Sequence, residues 1–156
     1  MNKIFYWSPF TTSKIATVKA VINSAASLNK FSKKNQFKTC IIDAVHEWKD
    51  FENEIKEKNI ELIYLNKDTF FNSFTKDGFM RSRIAYWYIF FKSFFPLIKV
   101  LQEKKPDYLI IHLITSLPLF LFTFKNFQSK LILRISGLPK MTFFRKLLWK
   151  LAVKNI

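Results

Sequence analysis

The chain has 156 residues and sets 26 Lys and Arg against 11 Asp and Glu, for a net charge of +15. Its 49% hydrophobic and 18% aromatic content, with 19 Phe, excludes a disordered chain and is enough for one domain, residues 1–156, with a core of its own. Two glycines and one cysteine argue against a glycine-rich phosphate loop and a turn-dense all-β fold, and exclude an internal disulfide and a cysteine zinc site.

Residues 3–7 (Lys-Ile-Phe-Tyr-Trp) read as a first strand. Polar Ser8 and Pro9 follow at once, too early for the apolar core of a signal peptide. Residues 8–13 form a hydroxyl-rich loop with a helix cap in Thr12 or Ser13. A helix over 14–29 follows, because Ile15, Val18, Val21, Ile22, Ala25 and Leu28 share one face. Beyond the basic connector 31–38, residues 37–45 read as a second strand with Cys40 as a buried thiol. Residues 48–58 read as a charged helix that turns Trp48, Phe51 and Ile55 inward and pairs Glu52 with Lys56 and Glu54 with Lys58. Residues 60–65 are a third strand, and 66–77 a long loop punctuated by Gly78.

Residues 84–104 are helical in pattern but contain Pro96, so either two helices meet there or one is kinked. After Pro106-Asp107, the apolar run from Tyr108 to His112 is short enough for an interior parallel strand. The stretch 108–124 mimics a membrane span. His112, Thr115, Ser116 and Pro118 interrupt it, and a strand, a turn and a helix over 117–126 explain the same residues. Residues 130–136 are a fifth strand, stopped by Gly137-Leu138-Pro139. A last helix, 141–155, gathers Phe143, Phe144, Leu147, Leu148 and Leu151 on one side and Arg145, Lys146, Lys150 and Lys154 around the other. Its apolar side either packs on the sheet or lies on an anionic membrane.

Strand and helix alternate throughout, which implies a three-layer Rossmann-like α/β domain with a parallel sheet and the first strand at its centre. Ligands of such folds collect at the carboxyl ends of the strands. Three strand ends supply Ser8, Thr12, Ser13 and Lys14, then His112, then Arg134, Ser136 and Gly137. Hydroxyls, helix-terminal amides and cations of this kind suit an anionic or polyhydroxylated ligand. His112 is either a general base or donor toward a substrate, or a strand-end histidine satisfied by the backbone. Arg134, at an inner-strand position, either pairs structurally or meets an anion. His46 reads as a surface turn residue. Neither histidine has the paired spacing of a metal site, and no serine elbow, P-loop or dinucleotide fingerprint is present.

The excess charge is either a solvated lysine-rich surface or a surface for polyanions. Arg81, Arg83 and Trp87 stand among Tyr86, Tyr88, Phe90 and Phe91, and with Lys146 and Lys150 they make a candidate membrane surface. Aromatics beside arginines also suit single-stranded nucleic acid, but no RNA-recognition or helix-turn-helix motif supports that partner.

Pro106-Asp107, the apolar run and His112, followed by a helix and by the strand 131–135 with Ser136-Gly137-Leu138-Pro139, resemble the N-terminal domain of family 4 glycosyltransferases. These are GT-B enzymes built from two Rossmann-like domains. The opening Lys-Ile-Phe-Tyr-Trp-Ser-Pro-Phe fits the same start, and the resemblance covers essentially the whole chain. It implies the acceptor-side half of a retaining hexosyltransferase, with His112 near the transferred sugar and the loop 8–14 beneath the donor phosphates and the acceptor. It further implies a nucleotide sugar as substrate with no separate cofactor, and a lipid-linked or cell-envelope glycan as acceptor. The place of action would be the cytoplasm, peripherally on the inner face of the cytoplasmic membrane. Members commonly carry Gly-Gly in the first loop, where this chain has Thr11-Thr12-Ser13. The donor-binding domain would have to be supplied in cis or in trans, so the chain alone is expected to transfer no sugar. The alternative is a non-catalytic basic α/β module that binds a membrane or nucleic acid.

Overall fold

The computed structural model describes residues 1–10, 15–31, 36–66, 79–135 and 142–152. Among these residues five strands form one sheet: β1 (Asn2–Trp7), β2 (Phe37–Asp43), β3 (Glu61–Tyr64), β4 (Tyr108–Ile111) and β5 (Lys130–Leu133). Their order is β3-β2-β1-β4-β5 and every pairing is parallel. β1 is therefore central, and the strand order reverses between β1 and β4. This is the Rossmann-like three-layer α/β fold that the alternation implied.

Among the described residues, five helices cover the sheet: α1 (Ile15–Phe31), α2 (Glu52–Glu57), α3 (Phe79–Lys104), α4 (Ser116–Phe124) and α5 (Phe143–Ala152). Side chains alternate along each strand, so two cores form. Ile4, Tyr6 and Ile41 point to one face and meet Val18, Val21, Ile22 and Ala25 of α1 with Trp48 and Ile55. Phe5, Trp7, Cys40, Ile42, Leu109 and Ile111 point to the other and meet α3, α4 and α5.

The second strand stops at Asp43 rather than Val45, because two carboxylates capture the next amides. Asp43 accepts the His46 and Trp48 N–H groups at 2.6 and 3.3 Å, and Glu47 accepts those of Ala44 and Val45 at 3.1 and 2.7 Å. The following helix is shorter than its pattern suggests: a 3₁₀ turn, Lys49–Phe51, precedes α2. It still buries Trp48 and Ile55.

Around Pro96 the chain remains one helix, α3, of 26 residues. Proline removes the amide that would bond the Lys92 carbonyl. The Asn66 side-chain amide donates to that carbonyl at 3.4 Å, and to the Ala44 carbonyl at 2.7 Å. The N-terminal part of the 66–77 loop thus supplies a partner that the helix lacks. The stretch 108–124 resolves into β4, a turn and α4.

Candidate functional site

The register of the sheet builds the site. Trp7 pairs with Ile42 on one side and Ile111 on the other, Ile111 pairs with Leu133, and Asp43 pairs with Tyr64. One step further along each strand lies a row of polar residues across the carboxyl edge: Tyr64, Asp43, Ser8, His112 and Arg134. The ladder carries on into that row, since His112 N–H donates to Trp7 O at 3.0 Å and Arg134 N–H to Ile111 O at 2.9 Å. Ser8 and His112 flank the point where the strand order reverses, the place where open α/β sheets hold ligands.

Ser8 is 1% exposed, and its Oγ has no hydrogen-bond partner among the described residues. His112 is half-buried. Burial, and secondarily the Arg134 charge, holds its imidazole below the ordinary histidine range, which favours the neutral ring. The turn after it is fixed by the Trp7 indole, whose Nε1–H donates to Ile114 O at 3.0 Å. Ile114 has φ 46°, a costly conformation for a β-branched residue. Backbone strain of this kind concentrates where a loop must be held in one shape.

Arg134 departs from the sequence expectation. It lies just beyond β5 and is exposed, because β5 is an edge strand whose α1-facing side is left open. Ile132 on that side is 43% exposed. The buried-cation choice therefore falls away. Arg134 instead borders an open cleft of about 630 Å³ between β4, β5 and α1, lined by Asn23, Ser24 and Ser27. Tyr6 reaches Ser24 there, hydroxyl to hydroxyl, at 3.1 Å. Sequence reasoning passed over these α1 residues, although Ala20, Ser24 and Ser27 recur at helical spacing as a small, polar stripe.

His46 is a turn residue, with φ 71°, but not a surface one. Its ring packs edge-on against Tyr64, and its Nδ1 lies 3.8 Å from Asp43. Glu47 is the strongest perturbation nearby. Burial first, then the Asp43 charge beside it, pushes its carboxyl well above the usual range. Tyr64 is likewise pushed up to about 12, by burial and by Glu52. Cys40 is buried, with its thiol pushed up to about 12, so it remains protonated and unreactive at neutral pH.

The predicted Pro106-Asp107 motif sits at the opposite edge of the sheet. Asp107 accepts the Lys3 amide at 2.6 Å and its own amide donates to Lys3 O at 2.9 Å, which locks β4 against β1. Thr12, Ser13, Lys14, Ser136 and Gly137 lie outside the described residues. Arg81, Arg83, Trp87, Lys146 and Lys150 are all exposed, on the α3–α5 side and away from the cleft. No group of three or more metal-binding side chains occurs among the described residues. Compared with family models, curated proteins and solved structures, the chain finds no match.

Proposed function

We propose that this chain is the acceptor-side half of a retaining hexosyltransferase. It would work on a lipid-linked or cell-envelope glycan, with a nucleotide sugar held by a second Rossmann-like domain. The observation that carries this reading is the row Ser8, His112 and Arg134 at the reversal of strand order, beside an open cleft with Asn23, Ser24 and Ser27 on its α1 wall. A neutral imidazole accepts a proton from a sugar hydroxyl, or donates a hydrogen bond to it, without first shedding charge. Ser8 offers a buried hydroxyl next to it. Arg134 offers a cation toward phosphate oxygens at the mouth of the cleft. The cleft's hydroxyl and amide lining from α1 suits a polyhydroxylated acceptor.

The test is transfer by the two-domain enzyme with His112→Ala. The expected outcome is a fall in kcat of about a hundredfold or more with an intact fold, in line with loss of a positioned acid or base. Unchanged turnover would return His112 to a structural role. Turnover by the isolated chain would overturn the reading of it as a half-site. The second reading, a non-catalytic basic module, is favoured by a different part of the surface.

A further inference from the structure

The outer side of α3 is not the polar face that a covering helix normally turns to water. Its inner seam (Ala85, Ile89, Leu97 and Leu101) is buried on the sheet. Its outer seam is apolar too: Ile84 is 54% exposed, Trp87 53%, Phe91 67% and Phe95 75%. The patch continues onto α4, where Phe124 is 71% exposed. The rings are in contact across both helices. Trp87 stacks on Phe91 at 5.6 Å, Phe94 meets Phe95 at 5.1 Å and Phe120 at 6.2 Å, and Phe120 meets Phe124 at 4.7 Å. A continuous aromatic ridge of this extent on a surface marks an interaction site.

Charge selects the occupant. α3 carries Arg81, Arg83, Lys92, Lys99 and Lys104 against one acid, Glu103, at its far end. α4 has no charged residue, and α5 has Arg145, Lys146 and Lys150 and no acid. A second copy of this ridge would bring cation against cation. Nucleic acid would match the charge but leaves a row of Phe and Ile side chains unburied, since bases stack singly in a groove. An anionic bilayer answers both features, with acyl chains for the rings and headgroups for the flanking cations.

We infer that the ridge formed by α3 and the end of α4 docks the protein in the plane of an anionic lipid bilayer, with Trp87, Phe91, Phe95 and Phe124 in the acyl boundary. The inference stands on this surface alone and does not depend on the transferase reading. Among the described residues α3 is also the one helix long and apolar enough to cross a membrane. Spanning would strip Ile89, Leu97 and Leu101 from the sheet, whereas lying in the interface leaves that core intact.

The experiment titrates the whole chain with vesicles of phosphatidylcholine, alone or mixed with phosphatidylglycerol, and follows tryptophan emission and co-sedimentation. Trp7 and Trp48 are fully buried and Trp149 of α5 is half-buried, so Trp87, 53% exposed, gives the largest response to lipid, and a Trp149→Phe protein isolates it. Expected are a blue shift on the mixed vesicles, quenching by lipids spin-labelled on the acyl chain, and release by salt. Replacing Phe91, Phe95 and Phe124 together by Ser should weaken partitioning about tenfold or more. Arg81→Gln with Arg83→Gln should weaken it by a similar factor at low salt only. All of these side chains are outside the core, and circular dichroism confirms that each variant is folded. Acyl-chain quenching in the unaltered protein tests the inference without any variant. Equal binding to uncharged vesicles, absence of acyl-chain quenching, or retention after alkaline carbonate extraction would overturn it. Tighter binding of Trp87 to single-stranded DNA than to vesicles, or its burial in a lipid-free dimer, would do the same.

Discussion

The two helical layers solve the same packing problem but present opposite outer faces. The α1–α2 side matches its charges: Lys19 and Lys58 lie 2.7 and 3.7 Å from Glu54, and Lys56 lies 2.6 Å from Glu52. Asp43, Glu47, Asp50, Glu52, Glu54, Glu57 and Glu61 place seven of the chain's 11 acids in that part of the sequence. Among the described residues the α3–α5 side has Glu103 as the one acid on its helices, 3.9 Å from Lys99, and large rings stand exposed on its outer face. Both layers bury an apolar seam. Folding therefore explains the seams and leaves the outer faces to function: an ordinary solvated one on the α1–α2 side, and one suited to lipid on the other.

The largest expected effect compares the seams with the ridge. Ile22 in α1 and Ile89 in α3 are both fully buried, so Ile22→Ala and Ile89→Ala should each cost about 2–5 kcal/mol through lost burial and the cavity left behind. Phe95→Ala removes a larger side chain, yet one that is 75% exposed, and should change stability by less than about 0.5 kcal/mol. Urea denaturation of the three variants decides it. If Phe95→Ala were as costly as Ile89→Ala, the ridge would be part of the core and the contrast between the layers would collapse.

A smaller effect lies between the layers, at the carboxyl edge. Glu47→Ala leaves the Ala44 and Val45 amides without their acceptor and should cost about 1–3 kcal/mol. Glu47→Gln keeps an acceptor but removes the titration. The folded-state pKa of Glu47 is raised, so the folded protein binds more protons than the unfolded chain above the ordinary carboxylate range. Its contribution to stability is full below that range and declines as pH rises toward the folded-state value. In Glu47→Gln this decline should disappear, which denaturation measured across pH will show. A decline that persists in Glu47→Gln would mean that Glu47 is not its source.

The layered fold was legible because its signals are local and redundant. Val18, Val21, Ile22 and Ala25 make a helical stripe, the apolar run before His112 is too short for a helix, and the alternation of elements dictates a parallel sheet. What was not legible depends on long-range partners. The end of β2 is set by two carboxylates folding back on amides, and a strand pattern that runs through Val45 carries no mark of it. The continuity of α3 through Pro96 depends on Asn66, 30 residues earlier. Arg134 looked buried because its strand pattern is apolar, but an edge strand with one uncovered side exposes it. The ridge was half legible. The stretch from Arg81 to Phe95 stood out as a basic-aromatic cluster, whereas Phe124 joins it only once α3 and α4 lie side by side. Within the site, His112 and Ser8 came from the strand-end rule. The cleft residues of α1 did not, because three small polar residues on a helix resemble any solvated face.

The smallest effect tests the solvated layer directly. Lys19→Ala removes the shorter of the two contacts to Glu54, between side chains that are 47% and 25% exposed. Such a pair gains little over its separate hydration, so the loss should be under about 0.5 kcal/mol and should vanish in high salt. Lys19, through its hydrogen bond and then its charge, holds the Glu54 carboxyl below its ordinary range. The sign follows: the contribution is present above the ordinary carboxylate pKa and is lost as pH falls through the folded-state value, where Glu54 protonates. Wild type and Lys19→Ala should therefore converge in acid and diverge slightly at neutral pH. A cost of several kcal/mol, or one indifferent to salt, would mean that the charges of this layer are fixed as parts of a buried network. The α1–α2 side would then be an interface as well, and the asymmetry that singles out the aromatic ridge as the docking surface would be gone.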